Sequence, residues 1–229
     1  MRNGFARIPR LTASFAYFLG YLLGDGCTSV GQIVAMSCHS IDEEHFCKSV
    51  LVPLIARLFG VRLTPYKDIK LNAYHINFGS KKLVAYLTNE VGFPPGQARK
   101  SVPKLIQHAP RRLRVAFVRG FFDADGSLIF SKKTYGNHVY PSIELKSVDR
   151  EILEWVMGVL EELSFRASLG RSVESWVLRI NGADMLNRWM EMIGSSNLKH
   201  ISKYQVWQKY GYCPPNTSVP QRLGLLHSK

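Results

Sequence analysis

The sequence predicts an α+β protein built from two pseudo-symmetric repeats, each running helix, strand pair, helix, strand pair, helix, an αββαββα-like order. Three pairs of segments carry this. The first is a nine-residue pattern that occurs as Phe18-Leu-Gly-Tyr-Leu-Leu-Gly-Asp25-Gly26 and, one hundred residues later, as Val118-Arg-Gly-Phe-Phe-Asp-Ala-Asp125-Gly126. The second is Ser40-Ile-Asp-Glu-Glu against Ser147-Val-Asp-Arg-Glu, each ahead of an apolar periodic stretch. The third is Tyr74-His-Ile-Asn-Phe-Gly-Ser-Lys-Lys-Leu against Trp176-Val-Leu-Arg-Ile-Asn-Gly-Ala-Asp-Met-Leu, an alternating strand, a polar turn and a helix start.

Each repeat opens on an apolar helix with small residues four apart, Gly20 and Gly24 in the first and Gly120 and Ala124 in the second. Small residues at that spacing let two helix backbones come close. Both runs close on an acid and a glycine, which suits the left-handed position just past a helix end. If the two helices pack side by side, Asp25 and Asp125 arrive at the same end of the pair. Like charges there repel, and the negative end of each helix dipole adds to the repulsion, so a cation must sit between them or one carboxyl must hold its proton. Two facing carboxylates predict a divalent metal site.

Second helices are expected over Phe46 to Phe59 and Ile152 to Leu163, with Ser40 and Ser147 as N-caps and acids in the first turn. The strands that follow alternate. From Pro141 to Ser147, Ile143 and Leu145 form an apolar row against Ser142, Glu144 and Lys146; Trp176, Leu178 and Ile180 oppose Ser175, Val177 and Arg179. Such a sheet has one face on helices and one free. Third helices run to Val91-Gly92 and Ile193-Gly194. A segment from Gly92 to Pro110 joins the repeats, and a hairpin tip spans Lys132 to His138. The stretch after Tyr210 lacks periodicity and is expected to wrap the surface or fray.

The chain has 229 residues, 46% of them apolar, ample for a buried core. Thirty basic residues against 17 acidic give a net charge of +13. Residues 1–110 hold 13 basic and 6 acidic residues and residues 111–229 hold 17 and 11, so the excess belongs to both halves. A polyanion, nucleic acid above all, is the expected partner. No apolar run is long enough to span a bilayer, and no small-x-small cleavage site follows the first helix as a signal peptide would require. Four cysteines, Cys27, Cys38, Cys47 and Cys213, form no framework, which suits a reducing intracellular compartment. Cys38, His39, His45 and Cys47 offer four possible zinc ligands, but at a spacing unlike the familiar zinc patterns, so buried thiols and surface imidazoles are the expected reading.

The duplicated pattern resembles the LAGLIDADG motif of the homing endonucleases, in the monomeric form that carries two motifs. The second copy matches in Gly120, Asp123, Ala124, Asp125 and Gly126. The first has Leu23 and Gly24 where the family name spells Asp and Ala, but it keeps the later acid, Asp25. The resemblance implies two repeats, residues 1–109 with the linker and 110–229 with a C-terminal extension, whose motif helices pack at the interface and whose antiparallel sheets form a saddle on double-stranded DNA. It implies a monomeric endonuclease that cuts both strands at a long, pseudo-palindromic site and leaves short 3′ overhangs.

Implied metal ligands are the carboxylates of Asp25 and Asp125 with the backbone carbonyls of Gly24 and Ala124. Hard oxygen ligands independently favour Mg²⁺ or Mn²⁺ over zinc. The family also places lysines beside the cut phosphates, for which Lys100 and Lys203 are the positional matches, and His39 and Lys146 fall at matching places nearby. Candidate DNA contacts are Arg62, Lys67, Lys70, Asn72, His75 and Asn77 in the first half and Lys132, Lys133, Tyr135, Asn137, Glu144, Lys146, Arg171 and Arg179 in the second. The alternatives on the same scaffold are a maturase that binds intron RNA and a non-catalytic DNA-binding protein. An intein is disfavoured by the initial Met and the His227-Ser-Lys end, which leaves a free-standing, intron-encoded enzyme of the cytoplasm or, in a eukaryote, an organelle.

Overall fold

The computed structural model describes residues 8–28, 33–93, 96, 100–132 and 138–228. The chain divides into two compact units, one reaching Ser40 and resuming from Glu44 to Ala124, the other formed by Ile41–Glu43 and everything from Asp125 onward.

In the first unit, α1 (Ala13–Asp25) starts at Thr12, whose hydroxyl accepts the Phe15 N–H at 3.3 Å. It passes without a loop into β1 (Gly26–Thr28), which pairs with β2 (Val34–His39). The next helix begins with a wider, π-type turn over Phe46–Leu51 and continues as α2 (Val52–Phe59). Pro53 explains the widening: it has no N–H for the helical ladder and its ring crowds the carbonyl of Ser49, so the Val52 N–H reaches back five residues to Cys47. Then come β3 (Tyr66–Asp68), β4 (Ala73–Phe78) and α3 (Lys81–Ala85), the last capped by Ser80 and prolonged by a second π turn over Tyr86–Val91. A short α4 (Lys104–Gln107) precedes the second motif helix, α5 (Arg111–Asp125).

The first sheet has the order β1-β2-β4-β3, all antiparallel. Val34, Met36 and Cys38 of β2 and Tyr74, Ile76 and Phe78 of β4 form its buried face. Phe18 of α1 is fully buried there, its ring 5.0 Å from Phe59, which lies 5.3 Å from Phe78. Each such side chain contributes about 2–3 kcal/mol by leaving water.

The second unit repeats this order: β5 (Gly126–Ser131), β6 (Tyr140–Ser147), α6 (Arg150–Glu162), β7 (Ala167–Arg171), β8 (Trp176–Asn181) and α7 (Ala183–Met192), with sheet order β5-β6-β8-β7. Leu128, Ile143, Leu145, Leu178 and Ile180 are buried, as are Leu153, Val156 and Leu160 of α6 and Trp189 of α7. Two helices follow, α8 (Leu198–Tyr210) and α9 (Val219–His227).

Four expectations need correction. Gly26 is extended, at φ −120° and ψ 163°, and Gly126 is not among the described glycines with positive φ. Each motif helix turns directly into a strand, and Gly26 is required by crowding instead, since a Cβ there would lie 2.8 Å from the Leu22 carbonyl oxygen. Ser40 is not a cap: it closes the β2–β4 ladder by donating its N–H to the Asn72 carbonyl, and the helix starts a turn later. Ser147 is displaced likewise, with Asp149 at the N-cap and the Ser147 hydroxyl accepting the Asp149 N–H at 3.0 Å. Finally, the stretch after Tyr210 is not frayed throughout, because Ser218 and Gln221 form a reciprocal capping box that starts α9.

Candidate functional site

Asp25 is the last residue of α1 and half-buried. The helix end beside it carries a concentration of carbonyl oxygens, and Lys100 answers it. Its ammonium donates to the carbonyls of Leu23 at 2.8 Å, Gly24 at 3.1 Å and Gly26 at 3.0 Å. Three oxygens converging on one cation make this a place that selects positive charge, in line with the negative helix end. The donor set is hard oxygen throughout and fits Mg²⁺ or Mn²⁺.

Asp125 closes α5 and is exposed, whereas Asp123, two residues earlier, is fully buried. The two motif acids therefore do different work. The Tyr17 hydroxyl donates to Asp123 Oδ2 at 2.6 Å, and the Arg119 guanidinium lies 5.2 Å from the Tyr17 ring. Asp123 thus ties α5 to α1, and Asp125 is turned to solvent. The helices meet at their glycines: a Cβ on Gly20 would lie 2.0 Å from the Phe117 carbonyl oxygen, and one on Gly120 would lie 2.0 Å from that of Tyr17. The reciprocal approach is the close packing that the small residues predict.

In the second unit, Lys203 on α8 donates to the Leu128 carbonyl on β5 at 2.9 Å. It lines a cavity of about 360 Å³ with His138, Cys213 and Pro214. Burial, then the nearby Arg222 guanidinium, hold the Lys203 ammonium below the usual lysine range. Arg222 itself is 1% exposed.

The free sheet faces carry part of the expected contact set. On the first sheet, His75 and Asn77 lie opposite Ser37 and Ala35, with the Tyr66 ring stacked 6.4 Å from His75. On the second, Glu144 accepts from Arg179 Nε at 2.8 Å and has Lys146 Nζ at 3.8 Å, so three candidates form one charged row. Lys67 and Arg171 fall on the opposite sides of their strands. Lys67 pairs with buried Tyr74, whose ring is 5.6 Å from its Nζ, and Arg171 pairs with Trp176 at 5.9 Å. Arg62, Lys70, Asn72 and Lys132 are exposed outside the strands. Lys133, Tyr135 and Asn137 lie outside the described residues.

Cys38 and Cys47 are buried, Cys38 Sγ lying 3.4 Å from the Tyr21 hydroxyl, and His39 is exposed at the end of β2. Among the described residues no three His, Cys, Asp or Glu side chains gather as a metal-binding group. Sequence reasoning did not find Arg222, Tyr17 or the buried role of Asp123. The Ser218-x-x-Gln221 box was the available signal for α9 and hence for Arg222; Tyr17 has Phe117 at its repeat position, so the duplication conceals its hydroxyl.

A family model described as a LAGLIDADG-like domain matches residues 112–194. The fold matches that of I-DmoI in complex with DNA and Mn, with a TM-score of 0.58 and 21% identity over 82% of this chain and 99% of that one. Residues 112–194, which include the second motif, thus match a LAGLIDADG-like domain, and the chain shares the fold of I-DmoI. It is also similar in fold to the N-terminal LAGLIDADG domain of DUF199/WhiA, with a TM-score of 0.54 and 16% identity over 85% of this chain and 92% of that one. In sequence it is 28% identical over 145 residues to homing endonuclease I-ApeI of Aeropyrum pernix, covering 60% of this chain and 62% of that protein. It is 22% identical over 232 residues to the replicative DNA helicase DnaB of Rhodothermus marinus, covering 95% of this chain but 24% of the helicase. The chain thus spans less than two thirds of the length of either relative. Among the described residues no helix is long and apolar enough to cross a membrane.

Proposed function

We propose that this chain is a site-specific DNA endonuclease that hydrolyses both strands of a long, pseudo-palindromic site with Mg²⁺ or Mn²⁺, leaving short 3′ overhangs. The observation that carries the proposal is the placement of the two motif acids, each at the last residue of its helix, with a carbonyl cluster beside Asp25 that already holds a cation. The likeness to I-DmoI, solved with DNA and Mn, and to homing endonuclease I-ApeI supports it. So does the +13 charge.

In this reading Asp25 and Asp125, with the carbonyls of Gly24 and Ala124, hold the metal, which when bound polarises the scissile phosphate and lowers the pKa of a water. Lys100 and Lys203 each stand beside one cut phosphate, where an ammonium offsets charge developing on the leaving oxygen or orders the attacking water. The polar sheet faces, with His75, Asn77, Glu144, Lys146 and Arg179, read base edges in the major groove, and the exposed Arg62, Lys70, Asn72 and Lys132 meet the phosphate backbone. Lys67 and Arg171 contribute from strand edges, against aromatic rings. The repeats are residues 1–109 and 110–229, working as a monomer inside the cell.

Matches to part of a helicase and to a homing endonuclease are what a portable nuclease element leaves behind. Incubating the protein with a library of long duplexes and Mg²⁺, then sequencing the ends, tests the proposal. One recurrent double-strand cut with 3′ overhangs is expected; no cleavage of any duplex, with binding to RNA instead, contradicts it.

A further inference from the structure

We propose that Arg222 is a positioning residue for Lys203: from α9 it locks the turn of α8 that carries the lysine and aims the ammonium at the strand that follows Asp125. Its guanidinium, fully buried, spends its donors on this turn of α8 and on the loop that leads into α9. Nε donates to Ser202 Oγ at 2.9 Å, next to the lysine, and the terminal nitrogens donate to the carbonyls of Lys199, one turn earlier, and of Thr217. Ser202 is also fully buried and donates in turn to the Leu198 carbonyl at 2.6 Å, so the chain of contacts runs from α9 through the α8 backbone.

A short acidic segment from elsewhere in the sequence completes the brace. Asp42 accepts the Val219 N–H at the start of α9 at 2.7 Å, and Glu43 accepts from Asn197 Nδ2 at 2.7 Å and from Lys199 Nζ at 3.0 Å. The starts of both α8 and α9 are therefore pinned. The result is a lysine whose Nζ is held on the Leu128 carbonyl, at the wall of a cavity, with a permanent positive charge behind it.

That charge has a chemical consequence. Facing Lys203 are Arg222 from α9, Lys199 from α8, Asp42, Cys213 and, across the cavity, His138. Burial is the largest cause of the easier proton loss; the two cations add to it, and Cys213 and Asp42 oppose it. Lys203 is accordingly set to release a proton more readily than a surface lysine, a property suited to a group that must exchange protons beside a phosphate.

The inference rests on the reading of Lys203 as a cleavage-assisting lysine, and its test separates the two. The titration of the Lys203 ammonium is followed by nitrogen NMR in the intact, DNA-free protein, for the wild type and for Arg222→Met, Arg222→Gln, Arg222→Lys and Asp42→Asn. In parallel, nicking of each strand is measured against pH. Arg222→Met and Arg222→Gln should leave less neutral amine at a given pH, while Arg222→Lys keeps the wild-type curve and Asp42→Asn shifts it the other way. The pH profile for one strand should move with the curve while DNA affinity holds. An unchanged titration in a folded neutral variant, an Arg222→Lys curve equal to that of Arg222→Met, or an unmoved Asp42→Asn overturns the proposal. Shifted titrations in a protein that cuts nothing leave the brace intact and remove the nuclease reading.

Discussion

Lys100 Nζ donates to the carbonyl of Gly24 at 3.1 Å, the same carbonyl that the motif resemblance assigns to a metal ion. The end of α1 is thus served by a side-chain cation from a distant loop, which satisfies three carbonyls that the helix and the following strand leave open. Under the proposed function, structural and chemical roles would coincide in one ammonium.

Replacing that ammonium should be felt twice. Lys100→Met removes three charge-assisted hydrogen bonds from a half-buried helix end, and a loss of about 2 kcal/mol in unfolding free energy is expected by denaturant titration. Cleavage of one strand should fall by about a hundredfold with the other less affected. Equal loss on both strands would show that the lysine acts on the fold alone.

The contact between α1 and α5 leaves no room for a methyl group. Gly20→Ala and Gly120→Ala each place a Cβ against a rigid backbone carbonyl, so each should cost about 2–3 kcal/mol, more than a surface glycine such as Gly158, which has open space around its Cβ position. Thermal denaturation of the three variants ranks them. Wild-type stability in Gly20→Ala would mean that the helices do not approach as described.

These features were unevenly legible in the sequence. The repeat order was readable because the apolar periods of Phe18, Ile143 and Leu178 and their partners survive in both copies. The glycine contact was readable because small residues recur at a helical spacing. What escaped reading depends on tertiary context: Gly26 is extended because its helix feeds a strand with no loop, Pro53 widens a helix that periodicity alone leaves regular, and Arg222 is buried against partners on α8 and on the loop at Thr217. Alternation named Glu144, Lys146 and Arg179 together, whereas Lys67 and Arg171 occupy edge strands too short for their facing to be read.

DNA binding should depend steeply on salt. If about ten phosphates are neutralised by Lys and Arg, the slope of log affinity against log salt is about −9. Fluorescence anisotropy between low and physiological salt measures it, and a slope near zero would remove nucleic acid as the partner.

Lys203 gives a pH dependence of stability with a defined sign. Its proton affinity is lowered in the folded protein, so the unfolded chain binds the proton more tightly, and this group's contribution to stability rises with pH from the folded value toward the ordinary lysine value of 10.5. Below that window both states are protonated and the gain is absent. Unfolding free energy of wild type minus Lys203→Met should therefore increase between neutral pH and about pH 10. A flat or falling difference contradicts the buried placement of the ammonium.

The central claim is that Asp25 and Asp125 are the catalytic acids, and plasmid cleavage by Asp25→Asn and Asp125→Asn tests it most directly. Each variant removes one negative ligand while keeping side-chain shape, so linearisation in Mg²⁺ should drop by at least about a hundredfold. Binding, measured with Ca²⁺ in place of Mg²⁺, should persist, since the sheet faces are untouched and one source of repulsion toward phosphate is gone. A gel that resolves nicked from linear plasmid then reads the division of labour: residual nicking if each acid serves one strand, loss of both cuts if the metal is shared. Cleavage at the wild-type rate by either variant would place the active site elsewhere.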